Sequence, residues 1–160
     1  MLATPHLLTG AALASKIRRP WLALSAAFIG HFVLDWIPHL DSHGMFGLPD
    51  GNVTRAEAIT TLLDVAIGAT LALWLTARLP RRRLLRLAAF LAIVVDLLYN
   101  VPPWNAWFWA CPVTHPPGEF HHAIQHRVAP SNLALGFVFQ VAVIAVAIGV
   151  LLRNRGRATP

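Results

Sequence analysis

Cysteine is nearly missing from the 160 residues: Cys111 stands alone, which excludes an intramolecular disulfide and any cysteine-based zinc cluster. Charge is scarce too. Charged residues make up 12% of the chain, with seven acids against thirteen basic residues and a net charge of +6. That share falls below what soluble domains carry. No aromatic-interleaved basic surface occurs, so the pI near 11.3 does not point to nucleic acid; the arginines abut the ends of apolar runs instead. The first residues have neither a basic n-region nor a small-residue cleavage site, so no cleaved signal peptide is expected. There is no internal repeat.

What is present is apolar sequence: 56% hydrophobic residues and a mean hydropathy of +0.57. The expectation is an all-α polytopic membrane bundle of four long transmembrane helices plus a short N-terminal helix. Residues 1–153 form one membrane-embedded domain in this reading, and 154–160 a disordered cytoplasmic tail. Thr4 as N-cap and Pro5 at the first helical position open a first helix that ends at Lys16, short for a full span. Pro20 to Pro38 is the second apolar segment. Thr54-Arg-Ala-Glu57 has the capping-box pattern and opens the third, to about Ala77. The fourth runs from the arginine-rich stretch 78–86 to Val101, and the fifth from a Ser131-Asn132 cap to Leu152, with Gln140 as its polar mid-span group. Residues 39–53 and 102–130 read as loops.

Within the second segment, Gly30-His31-Phe32-Val33-Leu34-Asp35-Trp36-Ile37-Pro38-His39-Leu40-Asp41 places a histidine and an acid where lipid or a core favours leucine. His31, Asp35 and His39 are spaced i, i+4, i+8, which on a helix stacks them on one face; Pro38 weakens the last turn and lets His39 and Asp41 fold back over the site. Imidazole and carboxylate at that spacing suit one divalent cation, and equally a buried His–Asp hydrogen bond that only packs helices. Orientation favours the cation. Eleven of the basic residues fall at 16–19, 78–86 and 153–157, alternate connections that the positive-inside rule assigns to the cytoplasm. These clusters read as a topology signal and as contacts to anionic lipid. All seven acids and all eight histidines then lie in the outer half or the outer loops. His6, His31 with Asp35, Asp64 and Asp96 come from four separate segments at similar depth. A later cluster, His115 and Glu119-Phe-His121-His122-Ala-Ile-Gln125-His126, has room for one helical face in the site, and His43 and Asp50 belong to their loop.

The N-terminal Pro-His-x-x-x-Gly, the His-x-x-x-Asp-x-x-Pro-His-x-Asp run, the isolated later aspartates and Phe120-His121-x-x-x-Gln125 resemble small bacterial inner-membrane proteins of the membrane-bound metal-dependent hydrolase family. The Gly30–His39 piece is also similar to the zinc-binding helix of bacterial phospholipase C-type enzymes, although the His-x-x-x-Glu helix of those enzymes has no counterpart here. The expectation is a divalent metal, zinc first, held by His6, His31 and Asp35, joined by His39 or Asp41, by His121 and by one of Asp64 and Asp96, with a spare carboxylate, Asp64 by preference, as general base or as the group that orients a ligand histidine. An ion in such a site lowers the pKa of its water toward ~7. Depth near the headgroups makes a lipid-linked ester or phosphoester the natural substrate, and membrane lipids the expected partners. The alternatives are a non-enzymatic metal-binding protein and a structural or partner-binding membrane protein.

Overall fold

The computed structural model describes residues 1–41, 54–128 and 132–158. Regular structure among them is helical throughout: α1 (Ala3–Lys16), α2 (Pro20–Asp35), α3 (Arg55–Thr76), α4 (Arg82–Leu91), α5 (Val94–Asn100), α6 (Trp104–Ala110), α7 (His115–Ile124) and α8 (Leu133–Ala158). One isolated bridge, His39 to Arg127, is the β-type pairing present among these residues.

α1 is the short expected helix, yet it is the axis of the fold. It packs against α2, α3, α4 and α8, and Leu7, Leu8, Ala11, Ala12 and Ala14 are buried along it. The core around it is rich in alanine (Ala23, Ala27, Ala72, Ala88, Ala89), which lets backbones approach closely, as membrane helices require. Gly10 marks a close crossing of α1 and α4. A Cβ there would lie 2.7 Å from the Ala88 carbonyl oxygen and 2.7 Å from Ala92 Cβ. The outer faces are greasy: Ile59, Leu62, Leu63 and Ile67 of α3 are all more than half exposed, a surface suited to lipid rather than water.

Two helices are long and apolar enough to cross a membrane, α3 and α8, and a third span arises if the bent α4–α5–α6 run is one crossing. The four long spans expected from sequence resolve differently. α2 stops after 16 residues at Asp35, too short by itself. The fourth segment breaks at Ala92–Ile93, and α6 departs from the preceding axis by 79°. The 102–130 loop contains two helices, because Pro116 and Pro117 sit in the first turn of α7, where a missing N–H is harmless. The capping box at Thr54 and Glu57 is present as read.

Both ends of the chain depart from the expectation. Thr4 is not the cap of α1: the N-cap is Leu2, with no side-chain bond of its own. α8 continues to Ala158 through residues expected as a disordered tail. Lys16 Nζ donates to Asn154 Oδ1 (2.9 Å) and Asn154 Nδ2 to Ser15 Oγ (2.8 Å), tying that last stretch to α1. Ser131, His43 and Asp50 lie outside the described residues.

Candidate metal centre

Asp35 ends α2 fully buried, and three imidazoles converge on it. Its Oδ2 lies 3.2 Å from His31 Nε2 and 3.1 Å from His121 Nε2, and those two nitrogens are 3.0 Å apart. Its Oδ1 lies 3.2 Å from His6 Nε2 and accepts from the Met1 amine at 3.0 Å. The His6 and His31 rings sit 4.4 Å apart, and His31 and His121 5.0 Å apart. Asp96 completes the group, its Oδ1 3.5 Å from His121 Nε2. One ligand atom from each of His31, Asp35, Asp96 and His121 fits within a mutual distance of 4.8 Å.

Backbone and neighbouring side chains fix which atoms point inward. The break after α4 leaves the Ala92 carbonyl without a helical partner, and His31 Nδ1–H donates to it at 2.8 Å. The neutral His31 ring therefore turns the bare Nε2 toward Asp35. Arg127 donates to Gln125 Oε1 from Nε (3.1 Å) and Nη2 (2.7 Å), so the Gln125 amide nitrogen faces His121 Nε2 at 3.2 Å and donates to it. His31 Nε2, His121 Nε2 and Asp35 Oδ2 thus form a triangle with sides of 3.0, 3.1 and 3.2 Å, in which the His31 lone pair is bare and the His121 lone pair is held by Gln125, a bond that an incoming ion would replace. A tetrahedral ion with ligands at ~2.0 Å has edges of ~3.3 Å, and the triangle is close to one such face. His6 adds a further sign: it is fully buried, its Nε2 meets Asp35 Oδ1 at 3.2 Å, and its Nδ1 has no hydrogen-bond partner among the described residues. A buried polar atom left so is destabilising by about 1–3 kcal/mol, unless something outside the chain meets it.

The remaining residues singled out from sequence are elsewhere. Asp64 is not at the centre: its carboxylate accepts from Ala3 N and from Thr4 N (3.1 Å), and Thr4 Oγ1 donates to the Asp64 carbonyl at 2.9 Å. It caps α1 across the α1–α3 interface, supplying the bond that Leu2 cannot, and so is no free base. Asp41 pairs with Arg127. His39 is past the end of α2, not on its third turn. Its Nδ1–H donates to Ile37 O (2.7 Å), while its backbone bonds to His126 O and Val128 N tie the motif to the segment after α7. Burial, then the nearby α-amine, holds its pKa down to about 4, so the ring is neutral. Its Nε2 is buried and has no hydrogen-bond partner among the described residues. Of the later cluster, His121 enters the centre; His122 and His126 are exposed. His115 is also outside, held by the Trp109 carbonyl (2.8 Å) and by Glu119 (3.2 Å), both of which raise its pKa.

Sequence reasoning did not reach the Ala92 carbonyl or the Arg127–Gln125 relay. An apolar run gives no sign of which carbonyl a break will free, although Gln125 belongs to the pattern that carried the family resemblance. No family model matches the chain, and neither does any curated protein or solved structure.

Proposed function

We propose that the chain is a membrane-embedded metal-dependent hydrolase, zinc its preferred ion, with its centre on the extracytoplasmic side of a bacterial inner membrane. The observation that carries this reading is the triangle of His31 Nε2, His121 Nε2 and Asp35 Oδ2, with the His31 ring oriented by the Ala92 carbonyl behind it. His31, His121 and Asp35 would hold the ion and His6 would close the set, and the ion when bound would contribute Lewis acidity and an acidified water. Asp96 is the carboxylate of the group that retains access, its side chain 23% exposed against 0% for Asp35, which suits it to take a proton from water or return one to a leaving group. The Ala92 carbonyl keeps His31 in its ligating tautomer, and the Gln125 amide, which donates to His121 Nε2, would give way to the ion there. The family resemblance and the depth of the site both favour a lipid-linked ester or phosphoester substrate.

The test is hydrolysis of a panel of generic phosphodiester and carboxylic ester substrates by purified protein, with and without added zinc. Metal-dependent turnover that falls about 10²-fold or more in Asp96→Asn while bound metal stays near the wild-type level supports the assignment. Bound metal with no turnover on any substrate would favour the non-enzymatic metal-binding alternative.

A further inference from the structure

At the opposite end of α1 the fold makes a second concavity, about 250 Å³ in volume, which no histidine or acid lines. Ala14 and Ser15 of α1, Pro80 and Arg81 of the α3–α4 connection, Leu85 of α4 and Asn154 of α8 form its walls. The polar atoms there are uncharged or cationic. Ser15 Oγ and the Asn154 amide are linked to each other, Lys16 reaches Asn154, and Arg81 Nη1 donates to Ile17 O at 2.9 Å, which anchors the guanidinium to the end of α1. Arg81 is the N-cap of α4, in the left-handed region at φ 60°. That helix start has no side-chain cap and no acid in its first turn, where Arg82 and Arg83 stand instead. No described acid lies within ion-pair distance of Lys16, Arg81, Arg82 or Arg83. Arg81 and the positive end of a helix dipole thus border a cavity whose lining holds no acid, with Lys16, Arg82 and Arg83 close to lining residues in the chain, while Leu85 and Ala14 give it an apolar wall.

From this juxtaposition we infer that the cavity binds the phosphate of an anionic ligand, borne on a membrane lipid or free. The phosphate takes charge-assisted bonds from Arg81 and a neutral one from the Asn154 amide. The apolar wall accommodates the first carbons of a lipid. This inference is independent of the metal centre.

Lipid retention by the intact protein in neutral detergent, read by native mass spectrometry, tests it. Phosphatidylglycerol is expected to be retained in preference to phosphatidylcholine. Arg81→Asn, chosen because asparagine tolerates a left-handed φ, should weaken phosphatidylglycerol retention about tenfold. Arg153→Gln removes the same charge from an exposed position outside the cavity and should change it less than about twofold. Asn154→Leu, which leaves every charge in place, should lower it about fivefold and guards against a folding defect in the arginine variant. Displacement of the lipid by millimolar inorganic phosphate assigns the site to free anions as well; resistance to it assigns the site to lipid. Equal losses in Arg81→Asn and Arg153→Gln, or an unchanged Asn154→Leu, overturn the inference, as does equal retention of the two lipids without phosphate binding.

Discussion

Asp35 and Asp64 are both acids inside apolar helices, and their neighbours give them different work. Asp35 faces ring nitrogens on both oxygens; Asp64 faces backbone amides at the start of α1. Asp64→Ala should therefore destabilise the protein by about 1 kcal/mol, as loss of a helix cap does, with metal content per folded molecule unchanged, measured by thermal unfolding in detergent beside metal analysis. Gln125→Leu should not lower metal affinity and should change unfolding little, because the Gln125 amide occupies the same His121 nitrogen that an ion would take; isothermal titration with zinc checks it. The exposed His115–Glu119 pair gives a pH signature with a definite sign. Its folded pKa lies above the ordinary 6.5, so whatever stability the pair contributes is complete below pH 6.5 and disappears as pH rises through the raised value. Titration of His115 by NMR should show the elevated midpoint, and Glu119→Gln should bring it down. At this scale the sequence was legible where partners are close along the chain: His31 and Asp35 at i, i+4 meet as spacing dictates. Asp64 was misread because a carboxylate that caps a neighbouring helix has the same local sequence as one that serves a reaction.

The break between α4 and α5 is the element on which the centre depends, since it exposes the Ala92 carbonyl to His31. α1 presses on that region through Gly10. Gly10→Ala would set a methyl group against the Ala88 backbone and Ala92, and α4 has no flexible side chain there to yield. The expected outcome is destabilisation of about 1–3 kcal/mol together with weakened metal binding, because the displaced turn carries the acceptor for His31. Isothermal titration with zinc and thermal unfolding of the same sample check both halves. Other elements were readable to different degrees. The capping box of α3 is local chemistry and was plain in the sequence; the kink at Ala92–Ile93 lies in an unbroken apolar run and was not. Residues 102–130 read as loop because Pro-Pro pairs break helices, but Pro103 is the N-cap of α6 and Pro116-Pro117 stand in the first turn of α7.

Across the whole molecule, polar chemistry is sorted to two ends of the α1 axis, histidines and Asp35 at its start and Lys16, Arg81 and Asn154 at its finish. The charge asymmetry of the sequence made this arrangement legible before any coordinates, because arginine clusters in alternate connections leave the acids on the other side. If the basic end is cytoplasmic, a reporter fused after Pro160 should be active in the cytoplasm, and a cysteine placed at exposed Val113 should react with a membrane-impermeant thiol reagent from outside in a Cys111→Ser background. Which helices fully cross was less legible, since α2 and the α4–α6 run combine apolar composition with lengths that fall short. The account rests above all on an ion at Asp35. X-ray absorption of zinc-loaded protein measures it most directly: the prediction is about one zinc per chain, nitrogen- and oxygen-ligated at ~2.0–2.1 Å, with at least two imidazoles, and lost in both His31→Ala and His121→Ala. Protein that takes up no zinc, or zinc retained with the same ligand shell in those two variants, would contradict it.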